Sequence, residues 1–424
     1  MLKKLGYISD FLDIDDAFNV EVMLDEENFD LRKSNEYLLL SDANKFDVLK
    51  KIEKYSSIYK LLAGKSKSIN KEIEREAEGL KDGFYVFGAH KVGAAFVKQC
   101  VVAGVKVLGF FDNDSTKHGT KLNGLEIYPP TLQNLTKKSI VVASGRYTNE
   151  IFTQLATCNC SIYNLHQAQY IFQLPHQAEK NFRDYHSDLH GNKNRFVSAF
   201  LQLDDEKSRV VFDGLLRLRL DLSVLHTDQF KSRFSNEYAD RDFINANDFY
   251  SYVDVGAYDG DTLDRLEAII GNVGAAYLFE PEIDPYIRAI EKYSTRDNIF
   301  LFNFGLSSKL QKFSYHGEYS HDIFDLKKST SKTSAVQVIE LDSIGFIEPT
   351  FIKIDVEGAE LLALQGAKQK IITHSPKLAV CCYHRANDYW EIINFMKNTN
   401  PTYKVGMRHY SDILDDTSLY FYQG

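Results

Sequence analysis

The chain has 424 residues, too many for one ordinary domain and enough for two or three. Apolar residues make up 44% and charged residues 26%, the balance of a soluble globular protein. The 59 acids outnumber the 50 Lys and Arg, and this net charge of −9 argues against a nucleic-acid binder. No run approaches the roughly 20 apolar residues of a bilayer span, and the start, MLKKLGYISDFLDIDD, lacks the apolar core of a signal peptide.

Residues 1–80 are predicted to be a helical segment. In FDVLKKIEKYSSIYKLL, Phe46, Leu49, Ile52, Tyr55 and Ile58 recur every three residues and form one apolar face. Residues 81–175 change character. FYVFGAH reads as a strand running into Gly88, KVGAAFVKQCVVAG as a helix, and VKVLGFFDND and SIVVAS as strands. Such alternation predicts a Rossmann-like domain with a parallel sheet. Gly124 and Pro129-Pro130 mark loops. Residues 176–247 lack strand signals, and LDDEKSRVVFDGLLRLRLDLS reads as a helix capped by Asp204 or Asp205, so this stretch is expected to be a helical connector.

Residues 248–424 return to alternation. SYVDVGA, AAYLFEP, IFLFNFGL, FIKIDV and KLAVCCYH are candidate strands. DTLDRLEAII, DPYIRAIEKY, AELLALQGAKQKII and NDYWEIINFMK are candidate helices, and YKVGMRHY with SLYFY suggests a terminal antiparallel hairpin. The fold class expected is α/β, with two parallel-sheet domains. Cys100, Cys158, Cys160, Cys381 and Cys382 show no zinc spacing. Free thiols without an export signal point to the cytoplasm.

The two α/β stretches echo each other. Gly88 precedes Asp112 by 24 residues, and Gly256 precedes Glu280 by the same interval; each acid closes a second strand. In an open parallel sheet, ligands bind beyond the carboxyl ends of the strands. The second turn, D-x-G-x-x-x-G, is not the dinucleotide pattern. Asp254, Asp259 and Asp261 crowd it with negative charge, which suits a cationic ligand such as S-adenosylmethionine better than a pyrophosphate. Glu280 has the position of a carboxylate accepting hydrogen bonds from two ribose hydroxyls.

The stretches YVDVGAYDGDTL, YLFEPEIDPY, NFGLSS, IELDSI, FIKIDVEGAELLALQGA and YHRANDYWEI resemble the FkbM-type S-adenosylmethionine-dependent methyltransferases over about residues 250–424. The resemblance implies a class I methyltransferase fold and transfer of a methyl group to a hydroxyl oxygen, with polyketides and glycan sugars among the family's acceptors. It implies that Asp254, Gly256, Gly260 and Glu280 hold the cofactor, with Ala257 and Thr262 in the same turn and Asn303 flanking the adenine. Asp355, Glu357 and His384 stand at strand ends on the same rim. His384 has the intrinsic pKa of a useful base. Asp355, which also borders the cofactor, and Glu357 would orient the acceptor or the imidazole. The trio has the composition of a divalent-metal site, but one sequence does not bring its members together, and no metal is assigned. Tyr383, Arg408 and His409 are weaker candidates, better read as packing residues.

YVFGAHKVG, with GFFDNDSTKHGTKLNGLEIYP, resembles the N-terminal Rossmann-like unit of some sugar-modifying enzymes. His90 stands where that pattern has glycine, which opposes tight dinucleotide binding. A nucleotide-sugar is the ligand class considered for this unit, with Gly88, Gly93, Asp112, Asn113, Ser144, Gly145 and Arg146 at its edge; a purely structural or dimerising role is the other reading. The expected function is therefore methylation of a sugar hydroxyl on a surface glycan or nucleotide-linked precursor. The alternatives are a nicotinamide-dependent oxidoreductase using the first turn and a non-catalytic nucleotide-binding scaffold.

Overall fold

The computed structural model describes residues 77–175, 189, 191–222, 224–315 and 334–423. The helical reading of residues 1–80 lies outside them, except for one 3-10 turn at Ala77–Leu80.

The first sheet contains β1 (Phe84–Phe87), β2 (Val107–Phe111), β3 (Lys121–Leu122), β4 (Leu125–Tyr128), β5 (Ser139–Val142) and β6 (Ser161–Asn164). Its order is β3-β4-β2-β1-β5-β6, parallel except at the β3–β4 edge. That edge is a hairpin whose loop, Asn123-Gly124, has positive φ at both residues, as a tight two-residue turn requires. Helices α1 (Lys91–Val102), α2 (Leu132–Leu135), α3 (Thr148–Leu155) and α4 (Leu165–Phe172) complete the unit. Val86, Phe110 and Val141 pack into one cluster, and Phe87, Phe111 and Val142 into another, as alternation along buried strands dictates.

Two helices follow, α5 (Lys193–Gln202) and α6 (Glu206–Asp221). Asp205 caps α6, its side chain accepting from Ser208 N at 2.9 Å. Phe196, Phe200, Phe212 and Leu216 of these helices share one core with Val253, Val255, Ile352 and Val380 of the next sheet. The connecting helices are thus one layer of the second unit.

The second sheet is built from β7 (Ser251–Val255), β8 (Ala275–Phe279), β9 (Ile299–Phe302), β13 (Phe351–Ile354), β14 (Lys377–Cys381), β15 (Lys404–His409) and β16 (Thr417–Tyr422). Between β9 and β13, the strands β10 (Gly305–Leu306), β11 (Gln311–Tyr315) and β12 (Ser334–Ile339) form a small separate sheet. The large sheet runs β15-β16-β14-β13-β7-β8-β9; β16 alone is antiparallel to its neighbours. Five parallel strands and a terminal hairpin are what the sequence predicts; the small sheet is not. Helices α7 (Asp261–Ile270), α8 (Ile283–Tyr293), α9 (Glu360–Gly366), α10 (Lys368–His374) and α11 (Asp388–Thr399) lie between the strands in sequence.

The loop between β15 and β16 docks on the first unit. Asp412 N donates to Gly145 O at 2.9 Å, Asn149 N donates to Asp412 Oδ2 at 3.0 Å, and Leu414 N donates to His166 Nε2 at 3.1 Å. Arg146 stacks 3.3 Å above the Phe234 ring, so it faces the second unit rather than the first glycine turn. The described residues contain no helix long and apolar enough to cross a membrane.

Candidate active site

The chain leaves β7 through a bend that only small residues permit. Gly256 has φ +81°, and a Cβ there would run into the Asp355 carbonyl oxygen. Gly260 has φ +82°, and a Cβ there would strike the Tyr293 ring, whose hydroxyl donates to Gly260 O at 2.7 Å and to Asp264 Oδ1 at 2.6 Å. Gly256 N and Ala257 N both donate to Phe279 O, tying the bend to the end of β8. Thr262 lies buried in the first turn of α7, its N–H donating to Asp261 Oδ1.

The negative charge expected at this bend is largely countered. Asp254 is fully buried beneath it and pairs with Lys353 at 3.0 Å, while Asp259 pairs with Arg288 at 3.5 Å. Burial pushes the Asp254 carboxyl up and Lys353 pulls it back down. Lys353 Nζ also donates to Gly256 O at 2.7 Å. The lysine, which the sequence reading missed, thus supports the bend from below. Its signal was a lone charge inside an apolar strand; the register sets it opposite Asp254.

Glu280 ends β8. Its Oε2 accepts from Tyr258 N at 2.9 Å and its Oε1 from Glu282 N at 2.8 Å. Burial raises its carboxyl to about 7 against the pull of those two hydrogen bonds. Asn303 Nδ2 donates to Glu280 O at 2.9 Å and to Pro281 O at 3.1 Å, bracing the loop beside it.

Asp355, Glu357 and His384, read as one rim from sequence, converge in space. His384 Nε2 stands 3.2 Å from Glu357 Oε2 and 3.6 Å from Asp355 Oδ1. Its Nδ1 lies 2.8 Å from Glu360 Oε1. Glu360, also missed from sequence, is fully buried and accepts from Val356 N and Gly358 N as well. It folds the loop around itself, with Glu357 at φ +52° and Gly358 at φ +94°. Tyr238 donates to Asp355 Oδ2 at 2.9 Å. Burial would lower the His384 pKa, but the charges of Glu360 and Glu357 outweigh it and hold the imidazole well above its ordinary value.

The weaker candidates are packing groups. Arg408 is buried against Asp242 at 2.7 Å, and His409 is buried on Thr417 Oγ1 at 2.8 Å, with its pKa driven down to about 3 by desolvation. The Tyr383 ring lies 4.0 Å from that of His384. Cys381 and Cys382 are buried free thiols.

A seven-stranded sheet of this order, with its reversed strand next to the edge and a glycine bend after β7, defines the class I methyltransferase fold. Residues 254–405 match the model of the Methyltransferase FkbM domain. The C-terminal unit is an FkbM methyltransferase domain, and the chain is an enzyme of methyl transfer. A methyltransferase FkbM from Methylobacillus flagellatus is similar in structure, with 23% identity, a TM-score of 0.66, and coverage of 88% of this chain and all of that one. A putative rRNA-methylase from Clostridium thermocellum (12% identity, TM-score 0.28, 43% of this chain and 91% of that one) is too distant to carry an argument. So is a chain of a fibrillarin/Nop5p complex (14%, 0.27, 42% and 74%). No curated protein matches the sequence.

Proposed function

We propose that the protein is an S-adenosylmethionine-dependent O-methyltransferase acting in the cytoplasm on a sugar hydroxyl of a surface glycan or nucleotide-linked precursor. The observation that carries the cofactor is the glycine bend at the carboxyl end of β7, packed on the Asp355 carbonyl and the Tyr293 ring, next to a Glu280 carboxylate held by the Tyr258 and Glu282 backbone N–H groups. That fits a nucleoside with an amino-acid tail. Glu280 retains lone pairs for ribose hydroxyls, Asn303 borders the adenine side, and the backbone from Gly256 through Thr262 meets the tail, with Asp254 acting through Lys353 and the bend. When bound, the cofactor supplies an electrophilic methyl on a sulfonium, a leaving group that needs no activation.

The chain's own task is to align an acceptor hydroxyl and remove its proton. Asp355, Glu357 and His384 are suited to that by convergence. His384 and the carboxylates beside it, Glu357 at 3.2 Å and Asp355 at 3.6 Å, are assigned that role as a group. The sugar acceptor rests on family analogy. His384→Ala is expected to lose methyl transfer while keeping affinity for S-adenosylhomocysteine; undiminished turnover removes the imidazole from the site. Mass spectrometry of glycans from cells with and without the protein tests the acceptor. A methyl missing from one sugar supports it, and identical glycans contradict it.

A further inference from the structure

We propose that Tyr238 is a positioning residue for methyl transfer, a role that rests on the reading of Asp355 as part of the group that takes the acceptor's proton. Its hydroxyl donates to Asp355 Oδ2 at 2.9 Å across 117 positions of chain. Asp355 Oδ1 is buried, has no hydrogen-bond partner among the described residues and stands 3.6 Å from His384 Nε2. One oxygen of the carboxylate is thus committed to the phenol, and the other is turned towards the imidazole. The last side-chain torsion of an aspartate has a broad profile, so a carboxylate turns easily about it. The phenol removes that freedom.

The phenol is fixed in turn. An ionised carboxylate only accepts, so the one phenolic proton goes to Asp355. Cys381 Sγ, 3.2 Å from the same oxygen, is then the donor to it. Burial and the charge of Asp355 hold the phenol and the thiol well above their ordinary pKa values, so both keep their protons. The buried ring lies 5.5 Å from Lys353 Nζ and 5.5 Å from the Arg265 guanidinium. Lys353 holds the glycine bend through Gly256 O, and Arg265 stands in α7, paired with Glu237 at 2.9 Å. Tyr238 therefore links the glycine bend to Asp355.

The backbone bears the mark of this placement. Tyr238 has φ +63°, a left-handed conformation unfavourable for an aromatic residue. Its N–H donates to the Tyr420 hydroxyl of β16 at 3.0 Å, and that hydroxyl is itself bonded to Tyr410. Strain that the surroundings over-determine in this way accumulates where a side chain must be aimed. Residues 176–247, a connector by their sequence, thus supply one group to the site.

The test uses the full-length protein, S-adenosylmethionine labelled in its methyl group, and an extract of cells lacking the protein as the source of acceptor. Tyr238→Phe removes the hydroxyl and keeps the ring. It should lower the maximal rate of label transfer at least about tenfold, while half-saturation by S-adenosylmethionine and affinity for S-adenosylhomocysteine stay within about twofold. Tyr403→Phe deletes another buried hydroxyl, which donates to Pro376 O at 2.5 Å, and should leave rate and affinity unchanged. Asp355→Asn should lose at least as much rate as Tyr238→Phe, and the double variant should be no slower than Asp355→Asn alone. An undiminished rate in Tyr238→Phe overturns the proposal. So do losses that multiply in the double variant, or an S-adenosylhomocysteine affinity that falls in step with the rate. A slow Asp355→Asn beside a fast Tyr238→Phe removes this proposal and keeps the reading of Asp355, whereas wild-type rates in both remove both.

Discussion

The two sheets carry the same device in two electrostatic states. In the first, Asp112 accepts from Ala89 N of the glycine turn at 2.7 Å and from Asp114 N two residues on at 2.8 Å. In the second, Glu280 accepts from Tyr258 N and from Glu282 N in the same pattern. The difference lies around this shared frame. Asp112 is paired with Lys117 at 3.2 Å, and a Cβ on Gly88 would stand 2.9 Å from His90 Nε2, so a side chain already covers that turn. Glu280 has its charge opposed by burial, and a buried ion pair, Asp254–Lys353, lies under its glycine bend instead. An acid neutralised by its own loop closes a turn, whereas an acid with unsatisfied capacity is suited to a ligand.

The largest effect expected from this contrast concerns the lysines. Lys353→Met strands the Asp254 carboxylate in the core and should cost about 3–5 kcal/mol in urea denaturation. Lys117→Met, at a partly exposed pair, should cost about 0–1 kcal/mol. Equal losses would break the comparison. Next come the glycines. Gly256→Ala drives a Cβ onto a backbone oxygen at positive φ and should weaken S-adenosylhomocysteine binding at least about tenfold, or 1.4 kcal/mol, by calorimetry. Gly88→Ala should destabilise the first unit and leave that affinity unchanged.

The smallest effect is in pH. With its carboxyl raised from 4.5 to about 7, Glu280 keeps a proton in the folded chain that the unfolded chain has lost. Its contribution to stability therefore falls as pH rises from about 4.5 to about 7. Glu280→Gln should remove that decline, raising the melting temperature at pH 7 but not near pH 4. Ribose hydroxyls donate to the ionised carboxylate, so affinity for the nucleoside should grow from about pH 6 to pH 8 in the wild type and stay flat in the variant. A parallel profile in both proteins would take Glu280 out of the crevice.

Much of this contrast could be read from the chain alone. The five parallel strands of the second sheet are apolar runs that stop at glycine or acid, and the terminal hairpin is framed by SDILDDT. Gly256, Glu280, Asp355, Glu357 and His384 stood out because strand ends are where a parallel sheet presents chemistry. What escaped detection depends on contacts between distant residues. The small sheet joins strands of two to six residues across a long insertion, and β6 is only four residues long. Lys353 acquires meaning only when the register sets it on Asp254, and Glu360 only when His384 arrives from the next strand. Arg146, placed at the edge of the first turn from sequence, stacks instead on Phe234.

Isothermal titration of the full-length protein with S-adenosylhomocysteine and then with NAD tests the central claim most directly. The geometry around Gly256 and Glu280 predicts one S-adenosylhomocysteine bound per chain, lost in Glu280→Ala, and no heat from NAD. Heat from NAD alone, or S-adenosylhomocysteine bound equally well by Glu280→Ala, would contradict it.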